Sequence, residues 1–174
     1  AATKEMQDIA IKSAPNAVCL VPEKREERTT EGGLDVVKEE KNLKLFIKPL
    51  LEKKIKISLF VSPDLEQIKT ASRVGASIVE LNTGTFCDLL LENKKDEYEK
   101  ELENIKKSAD FGKSLGLEIH GGHGLTYESV KFIGAIPQLS ELNIGHFIIS
   151  QSIFDGIENT IYKMRQEIDK AQNK

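Results

Sequence analysis

The chain has 174 residues, with 25 Lys and Arg against 28 Asp and Glu and a net charge of −3. That length fits one domain, residues 1–174, with a substantial core, and the interspersed charges exclude a basic face for nucleic acid. No apolar run approaches the ~20 residues of a membrane span, and two cysteines form no disulfide framework, which points to a reducing cytoplasm.

The chain opens Ala1-Ala2-Thr3 with neither an initiator Met nor a signal-like charged and apolar start. Thr3 to Ala14 reads as a helix capped by Thr3, with Met6, Ile9 and Ala10 on one face. Ala17 to Val21 is a short apolar strand of the kind a sheet covered on both sides requires. Pro22 to Gly33 is a long polar loop, more consistent with a lid than with a linker. A helix follows from about Lys41 to Lys53, with Leu43, Phe46, Ile47, Leu50 and Leu51 toward the core. Lys56 to Val61 is the second strand. Ser62 and Pro63 then start a helix whose buried stripe is Leu65, Ile68 and Ala71. Ser77 to Leu81 is the third strand, and its period of two places Ile78, Glu80 and Asn82 on one face.

A charged segment after Thr83 and Gly84 leads into a long helix carrying Tyr98, Leu102, Ile105 and Ala109. The next strand ends in Glu118-Ile-His-Gly-Gly-His-Gly-Leu-Thr-Tyr127, and Thr126 reads as the cap of a helix over Tyr127 to Ile136. Glu141 to Ile149 reads as a fifth strand. The final helix bears Ile157, Ile161, Met164 and Ile168 on one stripe. Five strands alternating with helices argue for a parallel sheet. A doubly wound sheet and a β/α barrel both satisfy the pattern. The polar residues cluster at the C-terminal ends of strands, where barrels hold their ligands, and no G-x-G-x-x-G follows a strand. The expectation is a barrel.

All three histidines, His120, His123 and His146, fall in the last third. His123 is the candidate acid/base group, with the Gly124 amide on a phosphate. A metal site is the weaker reading, because no Asp or Cys joins the histidines at ligand spacing. His120 reads as structural. Glu80 is a carboxylate on the inner face of a buried strand, costly unless paired with a Lys or Arg or used chemically. Gly145 lets backbone approach a ligand, against the alternative that it serves strand packing alone. Cys19 reads as a small core residue and Cys87 as a turn residue without a base nearby.

Four blocks, Cys19-Leu-Val-Pro-Glu-Lys-Arg25 with Thr29-Thr-Glu-Gly-Gly-Leu-Asp35, Val79-Glu-Leu-Asn-Thr-Gly84, Gly122-His-Gly-Leu-Thr-Tyr127 and Glu141-Leu-Asn-Ile-Gly-His146, resemble the pyridoxine 5′-phosphate synthase family. The resemblance implies an α/β fold of the (β/α)8 TIM-barrel type, here represented by its C-terminal five strands. It implies condensation of 3-amino-2-oxopropyl phosphate with 1-deoxy-D-xylulose 5-phosphate, releasing phosphate and water, without a metal or organic cofactor. By the same resemblance His123 is the proton donor and Glu80 the transition-state stabiliser. Gly124, Gly145 and His146 then bind 3-amino-2-oxopropyl phosphate, and Thr29 binds the deoxyxylulose phosphate. The family assembles into octamers. Its front three strands, with an Asn-x-Asp-His run, a His-x-Arg pair and a glutamate base, have no counterpart in this sequence. The expectation is that this polypeptide alone forms no product.

Overall fold

A computed structural model describes residues 1–22 and 32–173 of the chain. Helix α1 (Lys4–Ser13) starts at Thr3, whose hydroxyl accepts from the Met6 amide, and leads to strand β1 (Ala17–Leu20). Helix α2 (Val36–Glu52) begins some five residues earlier than its apolar spacing suggests. The reason is a cap from outside the segment. The side-chain oxygen of Gln67 accepts the amides of Val36 at 2.7 Å and Val37 at 3.2 Å, while Asp35 accepts from Lys38. Leu51, expected in the core, is exposed, whereas Leu43, Ile47 and Leu50 are buried.

Strand β2 (Lys56–Val61) matches its expected bounds. Helix α3 (Leu65–Val74) is capped not by Ser62 but by Asp64, which accepts the amides of Glu66 and Gln67, both at 2.9 Å. A carboxylate is the stronger N-cap partner for those free amides. The shift of two residues leaves Leu65 exposed, while Ile68, Thr70 and Ala71 are buried. Strand β3 (Ile78–Asn82) is followed at once by helix α4 (Gly84–Leu91), so Cys87 lies buried in a helix rather than in a turn. Helix α5 (Lys95–Ser114) buries Ile105, Ser108 and Ala109.

Strand β4 (Glu118–Gly122) ends in the glycine-rich run, and the helix expected over Tyr127 to Ile136 shrinks to α6 (Val130–Ile133). Thr126 instead closes a turn, its amide donating to Ser129 Oγ at 2.8 Å. Strand β5 (Leu139–Asn143) stops well before Ile149. What reads as one strand is a strand, a bend at Ile144-Gly145 and helix α7 (His146–Asp155). Helix α8 (Ile157–Gln172) closes the chain; Met164 is buried, but Ile157 and Ile161 of its expected stripe are exposed.

Among the described residues the five strands are all parallel and pair in the order β1-β2-β3-β4-β5. A doubly wound sheet reverses its order at a switch point; this one does not. Strand side chains alternate between faces. Ile57, Leu59, Val61, Val79, Leu81 and Ile119 join a core with Ile47, Leu50, Ile68 and Ile105 from the helices. The opposite face carries Cys19, Ser58, Phe60, Glu80, Asn82, His120 and Gly122. One face is therefore an apolar seat for helices, and the other is free for chemistry. No helix among the described residues is long and apolar enough to cross a membrane.

Candidate active site

A cleft of about 910 Å³ opens at the C-terminal ends of the strands, lined by Phe60, Glu80, Gly84, His123, Asn143 and Gly145 among others. Strands β2, β3 and β5 deliver Phe60, Glu80 and Asn143 there, and the turn directly after β4 delivers His123.

His123 follows β4 with φ of 81°, a backbone region that side-chain-bearing residues seldom adopt. The neighbouring strand end holds it there. The Thr83 amide donates to the Gly122 carbonyl at 2.8 Å, and the Thr83 hydroxyl lies 2.9 Å from that oxygen and 2.6 Å from the His123 carbonyl. A buried polar cluster so fully partnered fixes one conformation. Gly124 comes next with φ of 75°, and a Cβ there would lie 3.0 Å from Cys87 Cβ. The glycine lets the loop lie against α4. The imidazole packs on Gly84, and Phe60 sets its other boundary with ring centroids 6.1 Å apart. The loop after β4 is thus braced into presenting the ring at the cleft.

Glu80 projects from β3 onto the same face, level with His120 on β4. No Lys or Arg among the described residues forms an ion pair with it, contrary to one sequence-based alternative. Its neighbours are the Cys19 thiol, which donates to Oε2 at 3.5 Å, the Asn143 side chain and the more distant charge of His120. Burial pushes the Glu80 carboxyl above the usual carboxylate range, and those contacts offset the rise only in part. Gly122 makes room for it: a Cβ built there would stand 2.4 Å from Glu80 Oε1.

His120 is buried, with Nε2 3.0 Å from Glu118 Oε1 and Nδ1 3.5 Å from Glu141 Oε1. It bridges carboxylates of β4 and β5. His146 and Gly145 are not in a strand, as expected, but at the first turn of α7, where free backbone amides face outward. Gly145 has φ of −106°, and a Cβ on it would meet nothing within 4 Å among the described residues. Neither strain nor packing therefore requires a glycine at that position. Tyr127 secures α7 and α8 to this end of the sheet, its ring edge-on to Phe147 at 4.7 Å and beneath Lys163 Nζ at 4.4 Å. Thr29 and most of the expected lid lie outside the described residues. Among the described residues, no group of three or more His, Cys, Asp or Glu side chains could hold a metal ion.

The family model described as "Pyridoxal phosphate biosynthesis protein PdxJ" matches residues 1–170. The chain belongs to the PdxJ family. It is 49% identical to the pyridoxine 5′-phosphate synthase of Ruegeria pomeroyi over 172 residues, 99% of this chain and 69% of that protein. The synthase of Roseobacter denitrificans is 51% identical over the same shares, and that of Sulfurihydrogenibium sp. 48%.

Within this PdxJ chain, sequence reasoning overlooked the supports rather than the cleft's main residues. Thr83, Asn82 and Gly84 brace the His123 loop, with the Gly84 amide donating to Asn82 Oδ1 at 2.8 Å. The Asn82-Thr83-Gly84 run was visible as polar strand-end residues, but only pairing with β4 shows what it holds. Cys19 is also corrected: it is exposed on the polar face of the sheet, not in the core.

Proposed function

We propose that the chain works as a pyridoxine 5′-phosphate synthase, joining 3-amino-2-oxopropyl phosphate to 1-deoxy-D-xylulose 5-phosphate by acid/base catalysis. The observation that carries this reading is the convergence of His123 and Glu80 on one cleft beside the Gly124–Leu125 turn and the first turn of α7. Ring closure proceeds through proton transfers and dehydrations, which an imidazole can serve near neutral pH. His123 donates the proton to a leaving hydroxyl. Glu80, as a carboxylate, stabilises the positive charge that develops on the condensing nitrogen. Gly124, Gly145 and His146 bind 3-amino-2-oxopropyl phosphate: a phosphate seats on amides at a helix start, where charge and hydrogen bonds act together. Thr29 binds the second substrate. A Schiff-base lyase is not favoured, because no lysine is among the described residues lining the cleft.

The uninterrupted parallel order supports a single (β/α)8 barrel domain of which these five units are part. The cytoplasmic octamer and the absence of any cofactor belong to the same reading and rest on the family resemblance.

The direct test supplies both substrates and measures pyridoxine 5′-phosphate. It is run on the 174-residue chain and on the chain joined to the three preceding strand–helix units that the family resemblance implies, each with and without His123→Ala. Product from the joined chain that disappears with His123→Ala is the expected result. Equal product with and without the histidine would overturn its role. Binding is read separately by titrating inorganic phosphate and watching the amide signals of Gly124, Gly145 and His146.

A further inference from the structure

We infer that Cys19 is a positioning residue for Glu80: its thiol proton, with the Asn143 side chain, fixes the orientation of the carboxylate and favours its anionic form.

The geometry is specific. Cys19 lies on β1 in register with Ser58 of β2, and Phe60 of β2 is in register with Glu80 of β3. The thiol thus crosses over one intervening strand to reach Glu80 Oε2, 3.5 Å away. The other carboxylate oxygen rests where a Gly122 Cβ would stand 2.4 Å from it. One oxygen takes a proton donor and the other lies against bare backbone, so the carboxylate has little freedom to rotate.

The electrostatics agree in direction. Burial drives Glu80 toward its neutral form, and donors to an anion work against that. The coupling is reciprocal, as any interaction free energy must be. Although Cys19 is exposed as a residue, desolvation of its thiol and the neighbouring Glu80 carboxylate push that group up to about 11 against an opposing hydrogen bond with Ser58, so it stays a proton donor rather than becoming a nucleophile. The charged and titratable groups facing the pair among the described residues are His120 on β4, Glu141 on β5 and the Ala1 amino group, and the Ser58 hydroxyl on β2 shares the Cys19 thiol with Glu80. Cys87, on the far side in α4, has no part in it.

This inference rests on the role given to Glu80 above, but its test needs no turnover, so the two can fail separately. The first measurement is the rate of Cys19 alkylation by iodoacetamide between pH 7.5 and 10, resolved from Cys87 by peptide mass spectrometry. With Glu80→Gln the thiol loses its anionic neighbour. Each unit by which its pKa falls gives about tenfold more thiolate, less a partial loss of nucleophilicity, for a net gain of roughly threefold. An alkylation profile identical in the wild type and Glu80→Gln would overturn the inference.

The second measurement follows the Glu80 carboxyl carbon by NMR through an acid titration. Its midpoint should rise in Cys19→Ala and return toward the wild-type value in Cys19→Ser, which keeps an acidic hydrogen at that place. A midpoint unmoved in Cys19→Ala would be equally decisive against it. A merely structural cysteine predicts no rescue by serine.

Discussion

The imidazole of His123 rests directly on Gly84. A Cβ built on Gly84 would lie 2.7 Å from the ring carbon Cδ2 and 3.0 Å from Asn82 Oδ1. The first residue of α4 is therefore a glycine because a side chain from the loop after β4 occupies the space. Gly84→Ala should favour the helix by up to about 1 kcal/mol, while forcing the ring to move. The expected outcome is a melting temperature changed by only a few degrees, with a clear shift in the His123 ring signals. Loss of catalytic competence without loss of fold would follow. An unmoved His123 spectrum would show that the contact is slack.

Glu80 makes a prediction whose sign is the reverse of the usual carboxylate case. Burial raises its folded-state pKa above the unfolded value, so the folded state binds this proton more tightly. The resulting stability is fully present below the unfolded value, about 4.3, and is lost as pH rises through the raised folded value. Glu80→Gln removes the titration. The variant should gain stability relative to wild type between pH 4 and pH 7, measured by urea unfolding at both. A difference independent of pH, or one that shrinks toward pH 7, would refute the assignment.

Gln67 predicts a long-range capping defect. Its side chain on α3 accepts the first two amides of α2, and Val36 is fully buried. Gln67→Ala takes the 2.7 Å acceptor from the buried Val36 amide and leaves it only the Leu34 carbonyl at 3.0 Å, which costs about 1 kcal/mol. Hydrogen exchange should accelerate first at the Val36 and Val37 amides. A uniform acceleration across the chain would point instead to a general loss of packing.

How much of this was legible in the sequence depended on whether the signal was local. Strand β2 could be read to the residue because apolar β-branched residues ended at a Ser-Pro pair. Helix α4 was missed because Phe86, Leu89, Leu90 and Leu91 are apolar without a polar face, and the charged segment after them hid the boundary. The run from Glu141 to Ile149 read as one strand because Ile144, Phe147, Ile148 and Ile149 are strand-like, whereas the second half is a helix packed on α8 and, through Phe147, on Tyr127. His123 and Glu80 could be picked out since polar residues at strand ends are conspicuous. Their supports, Gly84, Gly122 and Cys19, could not, because each is defined by a neighbour more than 35 positions away along the chain or on another strand.

Gly145 gives the sharpest separation between stability and binding. Its backbone angles suit any residue, and beyond its chain neighbours no atom of the described residues lies within 4 Å of where a Cβ would go. Gly145→Ala should therefore alter folding stability by no more than about 0.5 kcal/mol, as for an ordinary surface change. If the position is a glycine so that a phosphate can approach the first turn of α7, the added methyl group should weaken phosphate binding roughly tenfold, equivalent to about 1.4 kcal/mol. Calorimetry with inorganic phosphate and a thermal melt on the same preparation measure both quantities. Unchanged affinity together with unchanged stability would remove Gly145 from the binding site and leave Gly124 and His146 to carry it.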